Sequence, residues 1–103
     1  MASTKTQSIT RIAELFDVLS DATRLQIVFL LATGGRNVTS LRECLKLKQP
    51  TVSHHLGLLR MNGVLVAKRK GRQVIYSLAE NVRVSSGKLK ISLPPYSVMV
   101  EGY

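Results

Sequence analysis

Residues 49–79, QPTVSHHLGLLRMNGVLVAKRKGRQVIYSLA, change structural period partway along. In the first half, Val52, Leu56 and Leu59 recur at the spacing of one helix face. Gln49 is placed to cap that helix, Pro50 to occupy its first position, where a missing N–H is harmless, and Asn62-Gly63 to end it. In the second half, Val64 to Arg69 and Gln73 to Leu78 alternate as strands do, around a tip of Lys70, Gly71 and Arg72. A polar-tipped helix is thus followed directly by a hairpin with a cationic tip. On a helical wheel His54, Gly57 and Met61 point away from the apolar face, Thr51 and Ser53 lie on opposite flanks, and His55 borders the apolar side. The adjacent histidines diverge by roughly 100°, whereas a helical metal pair needs positions i and i+4. No metal site is expected from them; His55 should bond to backbone or a helix end, and His54 should project outward.

Toward the N-terminus the chain predicts three more helices. From Ser8 to Leu19, Ile9, Ile12, Leu15, Phe16 and Leu19 recur at three- and four-residue intervals, and Ala13 and Val18 widen the apolar surface beyond one stripe. That helix faces more than its own core, and Ile9, Ile12, Ala13 and Phe16 are the residues expected to meet a second copy. Asp21 is placed to cap the next helix, whose run from Ile27 to Ala32 is apolar nearly all round, as in a central buried helix stopped by Gly34 and Gly35. Ser40 and Glu43 have capping-box spacing, opening a short helix with Leu41, Cys44 and Leu45 inward.

Charge is concentrated in the middle. The 103 residues carry a net charge of +9, but residues 1–35 are balanced. Between 36 and 72, Arg36, Arg42, Lys46, Lys48, Arg60, Lys68, Arg69, Lys70 and Arg72 face Glu43 alone. Cations that neutralise phosphates release condensed counterions, so a polyanion is the economical partner; a solvated basic face is the plainer reading. The single cysteine, Cys44, cannot form an internal disulfide or complete a structural zinc set, and is expected in the core. Neither an apolar run long enough to span a membrane nor a secretory h-region is present, so a cytoplasmic location is expected.

Helix, helix, short helix, polar-tipped helix, basic hairpin is the order of a winged helix-turn-helix, an α+β fold that is mainly α. Residues 1–80 would form the DNA-binding domain with its N-terminal dimerisation helix. Residues 81–103 would form an extended or β C-terminal tail, because Ser85, Ser86, Gly87, Pro94 and Pro95 break a helix, while KLKISL and YSVMVEG favour strands. Such a tail could pair across a dimer or remain a disordered end.

The stretch from about 15 to 82 also resembles the ArsR/SmtB group of winged-helix transcription regulators. LSDATRLQIVFLL is similar to the group's L-x-D-x-T-R-L-x-I-L-x-x-L, QPTVSHHLGLLRMNGVL to its Q-x-x-V-S-x-H-L-x-x-L-x-x-x-G-L-V, and RKGRQVIYSL to its R-x-G-x-x-x-x-Y-x-L wing. The resemblance implies a homodimeric repressor that leaves its operator when an inducer, often a metal ion, binds. The chain departs from the group in two places. Val38, Thr39 and Ser40 stand where arsenic- and cadmium-sensing members carry C-V-C, and no histidine follows His55, so a metal inducer would have to use Cys44 or the histidines across the dimer. The tail, in turn, replaces the usual last helix.

Function follows from placement. Gln49, Thr51, Ser53 and His54 are the residues expected to meet base edges in the major groove, and Arg60, Lys68, Arg69, Lys70 and Arg72 those expected to hold phosphates. The expected partners are a double-stranded DNA operator and a second copy of the chain, with no cofactor and no membrane; the inducer is not legible. The alternative is a general nucleic-acid or protein-docking winged helix without strong sequence preference. Phe16, Phe29, Tyr76, Tyr96 and Tyr103 are too few for a single-strand stacking platform. No enzyme is expected: six acidic residues form no evident pair near the histidines, and no phosphate loop or nucleophile motif occurs.

Overall fold

The computed structural model describes residues 4–102, so Tyr103 of the aromatic set lies outside the described residues. Helices α1 (Thr4–Leu19), α2 (Ala22–Leu31), α3 (Val38–Leu45) and α4 (Gln49–Met61) precede the strands. Strands β1 (Leu65–Lys70) and β2 (Gln73–Leu78) form one antiparallel hairpin, and β3 (Val82–Ser85), β4 (Lys88–Leu93) and β5 (Tyr96–Glu101) form a second sheet in that order. This is the expected α+β winged helix-turn-helix, with an antiparallel sheet where the tail was expected to be extended or β.

One apolar cluster joins all the helices to both sheets. Leu15, Val18 and Leu19 of α1, Ile27, Val28 and Leu31 of α2, Leu41 of α3, and Val52, Leu56 and Leu59 of α4 pack with Leu65, Val82, Leu89, Ile91 and Leu93. Each such side chain contributes on the order of 1.5–3 kcal/mol when fully buried. Although its sequence is apolar nearly all round, α2 is not buried all round: Phe29 remains 44% exposed, because no element covers the face it shares with Gln26.

Helix starts differ from the sequence expectation in three places. Asp21 occupies the N-cap of α2, but its side chain makes no capping bond. The cap of α3 is Asn37, whose Oδ1 accepts from the Ser40 amide at 2.8 Å, so the predicted Ser40–Glu43 box starts three residues too late. The cap position of α4 is Lys48, which places Gln49 inside the helix and Pro50 one residue further in, still ahead of the first amide needed by the hydrogen-bond ladder. Cys44 is exposed rather than core, because α3 turns Leu41 inward and leaves Cys44 at the rim.

Two glycines have identifiable work. Gly71, at φ 62°, opens the two-residue turn between Lys70 and Gln73, a left-handed conformation that suits the twist of a tight hairpin. Gly35 lies against the hairpin so closely that a Cβ there would meet Ile75 Cγ2 at 2.7 Å and Ser77 Oγ at 2.8 Å. Beside it, Arg36 pairs with Tyr76 through backbone bonds of 3.0 and 2.8 Å, adding a short third rung to β2.

The tail sheet is two-faced. Leu89, Ile91 and Leu93 of β4 point to the core, opposite Val100, Val98 and Tyr96 of β5. The other face pairs Arg83 with Lys90 and Lys90 with Met99, and Lys88 meets Glu101 at 3.1 Å. The strands pair with one another within the chain.

Candidate nucleic-acid interface

The tip of α4 is built by what lies behind it. Val52, Leu56 and Leu59 are at most 1% exposed and seat the helix on the core. With that face fixed, Gln49, Thr51, Ser53 and His54 are all exposed around the first turns. No acidic residue occupies that turn, and the preceding turn of chain carries Lys46, at φ 56°, and Lys48, both exposed. The positive end of the helix dipole therefore adds to the cationic surroundings.

The two histidines part company as the wheel requires: their ring centroids are 5.6 Å apart and their planes tilted by 55°. His54 faces outward, while His55 turns toward α2. Its Nδ1 lies 3.2 Å from Arg24 Nη1 and 3.7 Å from Asp21 Oδ2. A guanidinium can only donate, so Nδ1 is the acceptor in the shorter contact. Arg24 Nε also donates to the Val18 carbonyl at the end of α1 at 2.5 Å. Asp21 Oδ2 is buried at 3.9 Å from Arg24 and makes no hydrogen bond, so its interaction with the guanidinium and imidazole is through space. His55 is thus bonded to a side chain of α2, and the three residues tie α1, α2 and the polar-tipped helix together. Among the described residues no three of His, Cys, Asp and Glu are grouped within reach of one ion.

The hairpin presents its cations on both faces. Lys68 and Lys70 share one face opposite Ile75 and Gln73, Arg69 lies on the other opposite Val74, and Arg72 sits in the turn; all four are exposed. Asn37 links this hairpin to the helices: while its Oδ1 caps α3, its Nδ2 donates to Gln73 Oε1 at 3.3 Å. Arg60 is separate. It is exposed in the last turn of α4, roughly 16 Å along the axis from Gln49 at 1.5 Å per residue. Sequence reasoning missed Asn37 and Gln73. An asparagine three residues before Ser40 was the available signal for the cap; the bond to Gln73, 36 residues away, left none.

On α1, Ile9 and Phe16 are 53% and 55% exposed and Ala13 is exposed beside them, whereas Ile12 is half-buried against the core. No helix among the described residues is long and apolar enough to cross a membrane.

Comparison with known proteins bears on this arrangement. Residues 21–68 match the model of the family described as bacterial regulatory protein, arsR family. The chain is 39% identical over 77 residues to the arsenical resistance operon repressor of Escherichia coli, a match covering 74% of this chain and 66% of that protein. It is also 39% identical over 70 residues to the uncharacterized HTH-type transcriptional regulator MJ1325 of Methanocaldococcus jannaschii, covering 67% of this chain and 79% of the relative. Among solved structures, it resembles the homodimeric winged helix-turn-helix DNA-binding domain Mb0332 of Mycobacterium bovis, a possible ArsR-family regulator. That likeness has a TM-score of 0.71 at 29% identity and covers 77% of this chain and 73% of that one. The chain therefore spans just under two thirds of the arsenical repressor it matches.

Proposed function

The chain belongs to the arsR family of bacterial regulatory proteins, and from that premise we propose that it is a sequence-specific double-stranded DNA-binding transcriptional regulator, a homodimeric repressor acting in the cytoplasm. The observation that carries the proposal is the pairing of an exposed polar helix tip with a cationic hairpin, α4 packing on the first strand of that hairpin and Asn37 tying α3 to the second.

In this reading residues 1–80 bind DNA and dimerise, and 81–103 form an added tail. Thr51, Ser53 and His54, with Gln49 behind them, enter the major groove and contact base edges. Lys68, Arg69, Lys70 and Arg72 grip phosphates beside the groove, and Arg60 holds a phosphate further along the same helix. Ile9, Ile12, Ala13 and Phe16 meet their counterparts in a second copy and set the half-site spacing. The repressor works without a thiolate metal switch at the start of α3, since Val38, Thr39 and Ser40 offer no sulfur.

Selection of bound fragments from a random duplex pool, followed by anisotropy titration of the winner and a scrambled duplex at two salt concentrations, tests this. A winner with two-fold symmetric half-sites, bound ~10³-fold or more over the scrambled duplex, is expected. Changing Ser53 or His54 to Ala should lower discrimination between sites, by about 1–3 kcal/mol where a base contact is lost. Changing Lys70 or Arg72 to Ala should weaken binding to all duplexes and flatten the salt slope by about 0.9 each. Equal binding of both duplexes would instead make the surface a general polyanion grip or docking module.

A further inference from the structure

We propose that the cleft between α2 and α3 binds a small amphipathic carboxylate, with Arg36 holding its anionic head and Phe29, Leu30 and Leu45 receiving its apolar body. Two cavities adjoin at Thr33 and Arg36. One, about 380 Å³, has Phe29, Leu30, Leu45 and Cys44 in its walls; the other, about 300 Å³, is polar and has Asn37 and Ser40. Both sizes fall in the range that small-molecule sites occupy.

Arg36 is held ready for an anion. Its backbone is locked to Tyr76 on both sides. Its guanidinium lies across α3 rather than out toward the hairpin tip: Nη1 contacts Ser40 Oγ at 3.0 Å and Cys44 Sγ at 3.4 Å, and Nη2 reaches Thr33 Oγ1 at 3.4 Å. These partners are neutral, and among the described residues no carboxylate lies within ion-pair distance of it. A single planar guanidinium matches a carboxylate in bidentate fashion, and the half-exposed Phe29 beside it gives an apolar tail a surface to cover. The apolar cavity is walled by α2 and α3, and the polar one lies between the loop joining them, Ser40 of α3 and Ile75 of the hairpin, so an anion held by Arg36 would bias the position of α3. That regulatory consequence rests on the repressor reading; the binding itself does not.

The test uses the full chain without DNA, with octanoate as the probe and octanamide as its uncharged counterpart. Octanoate should give saturable amide NMR shifts centred on Phe29, Thr33, Arg36 and Leu45, and should slow alkylation of Cys44 by N-ethylmaleimide. Octanamide should bind at least roughly tenfold more weakly, the value of one charge-assisted contact. R36Q should lose a similar factor, and so should Q26E, which puts a competing carboxylate on the exposed rim of the same cavity. The proposal is overturned if octanoate gives no saturable response at millimolar concentration, if octanamide binds equally well, or if the shifts centre on α1. It is also overturned if R36Q binds octanoate as tightly as the parent chain does. Octanoate binding by a chain that lacks sequence-specific DNA binding would sink the repressor reading and leave this site standing.

Discussion

Arg24 joins three helices through one side chain, bonding the end of α1 by Nε and His55 of α4 by Nη1 while lying near the Asp21 carboxylate. Its side chain is only 15% exposed, so truncation leaves unpartnered groups in a partly closed space. Arg24→Ala should destabilise the fold by about 1.5–3 kcal/mol, the range for hydrogen bonds to a charged group. Urea unfolding reads this as a lower midpoint at unchanged slope; an unchanged midpoint would mean the network contributes nothing. The same residues show where local reading fails. Asp21 sits in a sequence position that predicts a cap, yet its carboxylate faces a guanidinium and an imidazole, and the imidazole comes from 31 residues beyond Arg24. The divergence of His54 from His55 was legible, because it depends only on helix geometry.

At the scale of elements, the tail sheet is the departure from a helical C-terminus. Its alternation was visible in KLKISL, where every second residue proves buried or nearly so, and helix breakers excluded the alternative. What alternation could not say was which strands pair. The turn at Ser86 and Gly87, both with positive φ, folds β4 back on β3, and the Pro94–Pro95 turn folds β5 back on β4. Ile91, 1% exposed, should cost about 2–5 kcal/mol when changed to Ala, as for other large-to-small core substitutions. Lys90, its neighbour on the outer face, should stay within about 0.5 kcal/mol. Guanidinium unfolding of the two variants checks this; equal small effects would mean the sheet is not part of the cooperative core. The α3 cap illustrates a smaller failure: Ser40 and Asn37 are both good capping residues, and the choice went to the one whose amide group could also bond the hairpin.

For the whole molecule, the exposed stripe of α1 is one of the apolar surfaces that burial within one chain leaves uncovered. Ile9 and Phe16 stand more than half exposed on a helix whose other side is packed against α2 and the tail sheet. Changing both to Glu should yield a monomer with unchanged helical circular dichroism and much weaker operator binding, because two half-sites would no longer be engaged at once. Sedimentation velocity decides the matter, and a persisting dimer would move the interface elsewhere, with the tail sheet the next surface to test. The charge pattern acts at this scale as well. Lys68, Arg69, Lys70 and Arg72 form one nearly unbroken cationic run in the sequence, and the hairpin displays that run at its turn, with side chains on both faces.

By itself the sequence determined the buried faces of α1 and α4, the hairpin and its turn, the cationic middle and the polar tip of α4. Each of these follows from a local period or from a residue type whose backbone or charge preference needs no distant partner. The tertiary structure alone decided that Asp21 would not cap, that Asn37 would, that Cys44 would lie at a rim beside Arg36, and that the tail would close into its own sheet over the core. Those outcomes turn on contacts between residues far apart in the chain, where several locally acceptable choices compete and packing selects among them.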